Sequence, residues 1–264
     1  MPHAFSGGGG MVDQGRTGPH HAGWVRATHW ALALAVLTLV ISGVTIFMAH
    51  PRLYWGQAGN DMTAAWLELP IGPNYRHGGW AAPVHFAPAG RDVISAARTA
   101  IIFNQNGWAR SLHFLGAWLL VASGLVYALF AAATGHGWRN LLPGREGFSP
   151  AALWADIRAH LARRPVRPRL DPVGPPYNVL QRWAYTIVLG AVPVMVFSGL
   201  AMSPYVTAGY PWVLDLFGGH QTARSVHFLA FSLIALFIVV HFVMVLRTGA
   251  LRQVQAMTIG VKGN

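Results

Sequence analysis

Four histidines lie inside or at the edge of long apolar segments, where ionisable residues are rare. They are His29, His113, His227 and His241. His113 and His227 hold the same place in a heptapeptide that begins at residue 109 and returns, with one change, at residue 223. Intramembrane ionisable side chains are costly and indicate a functional site. Because imidazole is the commonest metal ligand, this set predicts metal centres within a bilayer.

The apolar segments themselves indicate a membrane protein. The chain has 264 residues, 53% of them hydrophobic and 10% charged. The runs 27–48, 111–133, 183–203 and 225–246 contain no Asp, Glu, Lys or Arg, and each is near the ~20 residues that a spanning helix needs. The predicted fold is therefore an all-α integral membrane protein, a four-helix transmembrane bundle with a long outer loop between helices 1 and 2.

Charge predicts how the chain crosses the membrane. The segment 134–182 holds eight arginines against three acidic residues, so the positive-inside rule places this loop and both termini in the cytoplasm. The loop 49–110 then lies outside. The net charge of +11 could indicate nucleic acid, but the arginines stand beside the spans, so we expect contact with membrane lipids and no nucleic acid.

The remaining segments complete the predicted domain organisation. A disordered N-terminal tail covers 1–23, the transmembrane domain 24–250 and a cytoplasmic C-terminal tail 251–264. Within the loops, 91–103 reads as a short helix with an apolar stripe, 150–161 as an amphipathic turn and 163–176 as an extended stretch. Cysteine is absent, which excludes c-type haem attachment, disulfides and cysteine-ligated iron–sulfur clusters.

Topology sorts the four histidines into two pairs. Fourteen residues separate His227 from His241, a rise of about 21 Å with a net rotation of about −40°, so both lie on one face of the helix. His113 begins a span on the outer side and pairs with His227, whereas His29 begins a span on the inner side and pairs with His241. Two bis-imidazole sites in a four-helix bundle predict two b-type haems.

Glycines lie at the level of the outer pair. Gly43 follows His29 by 14 residues, and Gly199 follows Tyr185 by 14. The Ser-Gly pairs that contain these glycines repeat at an offset of 156. A glycine there lets a flat macrocycle approach the backbone, although glycine in membrane helices also permits close helix packing. Both interpretations remain open.

Three arginines stand one turn from a histidine. Arg110 and Arg224 precede the outer pair by three residues, and Arg26 precedes His29 by three. They could pair with haem propionates. Ordinary anchoring at the membrane interface is the alternative.

Taken together, these residues resemble those of the di-haem membrane cytochrome b subunits of bacterial respiratory oxidoreductases. The similar proteins include the formate dehydrogenase gamma subunit and the nickel–iron hydrogenase b-type cytochrome, and the thiosulfate reductase cytochrome b subunit type looks closest. The resemblance covers residues 24–247. It rests on Arg26, His29 and Trp30, on Ser42-Gly43, on the segment 50–56 and on the spaced histidines of spans two and four.

The resemblance implies a location and partners. It implies a multi-pass protein of the bacterial inner membrane that passes electrons between a periplasmic molybdopterin oxidoreductase and the quinone pool. Quinone would be the exchangeable substrate, bound near the inner haem, where Arg26, Asn178, Gln181, Arg182 and Tyr185 lie. The chain itself would be an electron-transfer subunit, with quinone oxidation or reduction as its own possible reaction.

Two other functions fit part of the pattern. A transmembrane metal reductase would use the same haems but deliver electrons to an external ion. A metal-ion transporter would use the histidines directly, but the spans lack the carboxylates that such paths usually carry.

Overall fold

The chain is described by a computed structural model over residues 22–59, 63–69, 106–135, 142–161 and 179–259. Four long helices dominate it: α1 (Gly23–Phe47), α2 (Asn106–Ala133), α4 (Val179–Ala201) and α7 (His220–Thr258). Within these ranges, all four are long and apolar enough to cross a membrane. The predicted class, an all-α integral membrane bundle, is confirmed.

Shorter elements connect the long helices. A two-stranded antiparallel hairpin, β1 (Arg52–Leu53) and β2 (Leu67–Glu68), follows α1, with Arg52 opposite Glu68. The inner loop contains a 3-10 turn at Arg145–Phe148 and helix α3 (Pro150–Leu161), and α5 (Pro204–Gly209) and α6 (Trp212–Asp215) join α4 to α7. The segment 150–161, predicted as an amphipathic turn, thus forms a helix of three turns, and the hairpin was not foreseen. The predicted helix 91–103, the extended stretch 163–176 and most of the N-terminal tail lie outside the described residues.

The long helices begin earlier than their hydrophobic runs. They start at 23, 106, 179 and 220, against predicted starts of 27, 111, 183 and 225. The apolar sequence ends at the membrane interface, whereas the hydrogen-bonded helical backbone extends into the interface. At the other end of the third span, the chain leaves α4 because Pro204 starts the next helix.

The bundle consists of two helix pairs. Helix α1 packs along α2, and α4 packs along α7. Small side chains, Ala35, Ser42, Ala191, Ser198 and Ala230, are buried where helices meet, while large apolar side chains such as Trp118 and Leu129 are about 70% exposed. An apolar exterior of this kind suits lipid rather than water. The histidines lie where the two pairs face each other.

Helix α7 is longer than its span. It continues past the hydrophobic run to Thr258 through a break at Gly249, where φ is 97° and ψ is 86°. Beyond the break, the Met257 carbonyl accepts from Trp30 Nε1 at 2.9 Å, and the Thr258 carbonyl accepts from Arg26 at 3.2 Å. The first part of the predicted C-terminal tail is therefore a helix fixed to the start of α1.

Candidate functional site

The outer pair brings together one histidine from each helix pair. His113 on α2 and His227 on α7 face each other with ring centres 6.3 Å apart and ring planes at 56°. A metal held between two imidazoles by bonds of about 2 Å would put the ring centres about 6 Å apart. The predicted outer pair therefore lies at the spacing of two axial ligands.

Each outer imidazole contacts a buried serine. Nδ1 of His113 lies 3.0 Å from Ser42 Oγ, and Nδ1 of His227 lies 2.9 Å from Ser198 Oγ. Both hydroxyls also bond the carbonyl four residues earlier in their own helix, at 2.7 Å for Ser42 and 2.6 Å for Ser198. A hydroxyl has one proton to donate, and a carbonyl can only accept. Each serine oxygen therefore accepts from Nδ1–H of its histidine, which leaves Nε2 unprotonated and able to bind a metal.

The neighbouring glycines lie against the same rings. A Cβ at Gly43 would come 3.4 Å from Cε1 of His113, and one at Gly199 would come 3.5 Å from Cε1 of His227. The Ser-Gly repeat thus supplies both a hydrogen-bond acceptor and a surface without a side chain beside each outer imidazole. Contact of these glycines with a macrocycle remains a prediction.

The inner pair has a similar spacing and different neighbours. His29 on α1 and His241 on α7 lie with ring centres 6.5 Å apart and planes at 51°. Trp30 meets His29 edge-on at 5.4 Å, and Phe237 stacks on His241 at 5.7 Å. Tyr185 lies 6.1 Å from Phe237. An aromatic ring therefore packs against each inner imidazole.

The predicted propionate arginines differ in environment. The guanidinium of Arg224 donates to the Arg52 carbonyl at 3.0 Å and to the His50 carbonyl, and it lies over the Phe47 ring. Its counterpart in the repeat, Arg110, is exposed. Arg26 donates to the Thr258 carbonyl. Arg224 thus holds the outer loop, and the propionate contacts of all three arginines stay predictions.

The outer loop closes the end of α7, which sequence reasoning missed. The first amides of a helix lack intrahelical partners. Here the Gly56 carbonyl accepts from the amides of Gln221 and Thr222 at 3.0 and 3.2 Å, and Gln57 Oε1 accepts from that of His220 at 2.9 Å. The segment 50–56, noted only as a point of resemblance, therefore caps the helix that carries His227.

Buried side chains hold this cap in place. Tyr54 is 1% exposed, and its hydroxyl lies 3.0 Å from His50 Nε2. Ser225 donates to the Tyr54 carbonyl at 2.6 Å and accepts from Trp66 Nε1 at 2.9 Å. His50 belongs to this packed loop. The polar residues Gln221, Thr222 and Ser225 at the start of α7 were the available signal for the contact.

The predicted quinone region lies at the inner end of α4. Gln181, Arg182 and Tyr185 are half-buried in its first two turns. Helix α3 supplies Asp156, whose Oδ2 accepts from the Leu180 amide at 3.3 Å, and Trp183 Nε1 donates to the Gly147 carbonyl at 2.9 Å. The inner loop is thus docked on the start of α4, beside these three residues.

The donor set fits haem. Paired neutral imidazoles, with Nδ1–H held by serine in the outer pair, are axial ligands of b-type haem, and the pairs lie between helices that present no Asp, Glu, Lys or Arg within the spans. In the part of the chain that the structure describes, no cluster of three or more His, Asp or Glu side chains forms a metal-ion site. Fold and site together define a multi-pass membrane cytochrome of the b type.

Comparison with known proteins gives the family. The chain belongs to the prokaryotic cytochrome b561 family, whose sequence pattern matches residues 20–260. It is also 29% identical over 225 residues, 85% of this chain and 89% of the relative, to a protein of Azospira oryzae whose name provisionally assigns it to a protein-methionine-sulfoxide reductase as subunit YedZ1. The chain is therefore a haem-binding electron-transfer subunit in the membrane, with haem b as its cofactor. The expected resemblance to b-type cytochrome subunits is confirmed, while the thiosulfate reductase type stays a prediction.

Proposed function

We propose that the chain binds two b haems and transfers electrons between a periplasmic oxidoreductase and the quinone pool. His113 and His227 would hold the outer haem, and His29 and His241 the inner one. The observation that carries this proposal is the pair of facing imidazole couples, with ring centres 6.3 and 6.5 Å apart. His227 and His241, one from each pair, lie 14 residues apart on α7, which corresponds to about 21 Å along the helix.

The ligand set favours electron transfer over substrate chemistry. Bound haem would supply one-electron oxidation and reduction of iron, and an iron held by two histidines would have no open position for oxygen or substrate. The protein's own contribution is to orient the imidazoles, exclude water from the spans and place the two sites near opposite membrane surfaces. These tasks are those of an electron carrier.

Charge supports the orientation in a bacterial inner membrane. The arginine-rich segment 134–182 favours the cytoplasm, which puts both termini there and the hairpin cap on the periplasmic side. The outer pair then lies next to the surface that a periplasmic protein can reach. The inner pair would lie near the cytoplasmic surface, at the end of the bundle where α4 begins with Gln181, Arg182 and Tyr185, which we assign to the quinone region.

The relative's name supports a catalytic partner. It describes a subunit of a reductase that acts on methionine sulfoxide in proteins. A reductase consumes electrons, so we propose that quinol is the donor and that electrons leave through the outer site. The resemblance to respiratory cytochrome b subunits adds that the periplasmic partner carries molybdopterin.

Haem stoichiometry tests the proposal. The protein is purified in detergent, and its dithionite-reduced minus oxidised spectrum is combined with pyridine haemochrome quantification. We expect b-type bands and two haems per chain. A folded, colourless protein would refute the proposal, and one haem per chain would refute the two-site arrangement.

Quinol oxidation tests the direction of transfer. Under anaerobic conditions, duroquinol should reduce the haems, and a molybdopterin-containing methionine-sulfoxide reductase with its substrate should reoxidise them. Reoxidation by ferric citrate, without any effect of the reductase, would instead support the metal-reductase alternative. Failure of quinol to reduce either haem would refute the quinone link.

A further inference from the structure

Two serines occupy equivalent positions at the outer site. Ser42 on α1 and Ser198 on α4 are both 0% exposed, and each contacts Nδ1 of the outer histidine on the neighbouring helix of its own pair. The contact therefore occurs twice, once in each half of the molecule. Each helix pair supplies one imidazole together with the acceptor that orients it.

The serine hydroxyls fix the state of the imidazoles. Because the hydroxyl protons go to the carbonyls of Thr38 and Val194, the oxygens can only accept from the rings. A histidine that donates Nδ1–H becomes a more basic ligand through its other nitrogen. A more basic axial ligand stabilises ferric over ferrous iron and so lowers the reduction potential.

We propose that Ser42 and Ser198 are positioning residues that hold both outer imidazoles with Nε2 toward the iron and lower the potential of the outer haem. This inference rests on the proposed two-haem function. The serines do not touch the reacting centre, and they act through the histidines. Their effect is confined to the outer site because the inner pair lies about 21 Å away along α7.

The test isolates the outer haem. In a His241→Ala background, which is expected to keep only the outer haem, Ser42→Ala, Ser198→Ala and the double variant are titrated potentiometrically. Each single change should raise the ratio of ferrous to ferric haem at fixed poise about tenfold, which is about 59 mV for one electron. The double variant should shift further in the same direction.

Matched controls separate this effect from general packing. Ser123 and Ser232 make the same hydroxyl bond to the carbonyl four residues earlier, at 2.5 and 2.8 Å. Within the part of the chain that the structure describes, neither is hydrogen-bonded to a histidine. Ser123→Ala and Ser232→Ala should leave the potential of the outer haem unchanged. An equal shift in the control variants would overturn the inference.

Two threonine variants keep the inference testable if the alanine variants lose the outer haem. Ser42→Thr and Ser198→Thr retain the hydroxyl and should keep the outer haem at its original potential. Loss of the outer haem in the alanine variants but not in the threonine variants supports positioning by the hydroxyl. Loss in both, or full haem content with an unmoved potential in alanine, overturns it. Failure of the parent protein to bind two haems would instead count against the proposed function.

Discussion

The outer and inner histidine pairs share helix α7 and nearly the same ring spacing, yet they are held in different ways. The outer pair combines two copies of a repeat, and each imidazole bonds a buried serine at 2.9–3.0 Å. The inner pair departs from the repeat, takes His29 from α1, and lies among Trp30, Phe237 and Tyr185. The described contacts of the outer imidazoles include hydrogen bonds to serines, and those of the inner imidazoles include packing against aromatic rings.

The two ends are also closed by different segments. A hairpin loop caps the outer end of α7, whereas the helical segment after Gly249 closes the inner end by bonding to the start of α1. The loop at the outer end packs around the buried Tyr54, and its carbonyl groups accept hydrogen bonds from Arg224 and Ser225. The described contacts between the segment after Gly249 and α1 include two exposed hydrogen bonds. Because local stability follows burial and contact density, we expect the outer cap to open less readily than the segment after Gly249.

Replacement of a histidine that is proposed to bind haem should give the largest effect, and it distinguishes the outer pair from the inner pair. His113→Ala or His227→Ala should remove the outer haem only, and His29→Ala or His241→Ala the inner haem only, because each iron would lose one of the two imidazoles proposed to hold it. Pyridine haemochrome assays should give one haem per chain in each variant. His220→Ala, on the same helix as two of these ligands, should retain both haems. Loss of the same haem in His113→Ala and His29→Ala would refute the pairing.

The next largest effect is expected from a substitution at Gly219, which tests the packing of the outer cap. Its φ of 131° and ψ of 164° are accessible almost only to glycine, and a Cβ there would lie 2.6 Å from the Gly56 backbone. Gly219→Ala should lower the free energy of unfolding by roughly 4 kcal/mol, from strain and overpacking together, as seen by thermal unfolding in detergent.

Gly218 is the matched control for this change. Its φ is 67°, and a Cβ there meets nothing within 4 Å. Gly218→Ala should therefore cost only about 1 kcal/mol of backbone strain. Equal losses at both positions would show that the close contact with Gly56 does not matter.

The two arginines of the repeat provide a smaller contrast. Arg224→Gln leaves the carbonyls of His50 and Arg52 without their guanidinium donor, which should cost about 2 kcal/mol. Arg110→Gln changes an exposed side chain and should leave the melting temperature unchanged. Limited proteolysis should then cleave the segment 50–59 faster in the Arg224 variant alone. Equal behaviour of both variants would contradict the role of Arg224 in the cap.

The smallest expected effect concerns the inner end. Trp30→Phe removes the hydrogen bond to the Met257 carbonyl and keeps an aromatic ring beside His29, so it should cost about 1 kcal/mol. Hydrogen exchange of residues 250–258 should become faster, while exchange in 50–57 stays unchanged. Equal acceleration at both ends would show that the two closures are not independent.

Much of this architecture follows from the sequence alone. Hydrophobic runs free of acidic and basic residues determine the four spans, since a bilayer excludes unpaired charge. The 14-residue spacing puts His227 and His241 on one face, because that number of residues nearly completes whole helical turns. The alternation of spans then predicts which histidines share a depth, and the structure places those pairs with facing rings.

Only the tertiary structure decided how the outer site is held. The Ser-Gly repeat was visible, but the hydroxyl contacts depend on how α1 packs on α2 and α4 on α7, and a sequence pattern does not give that rotation. The repeat likewise made Arg110 and Arg224 look equivalent. In the structure they differ, because only Arg224 is described in contact with the loop that follows α1. The partners of a residue depend on which distant segments lie at its end of the bundle.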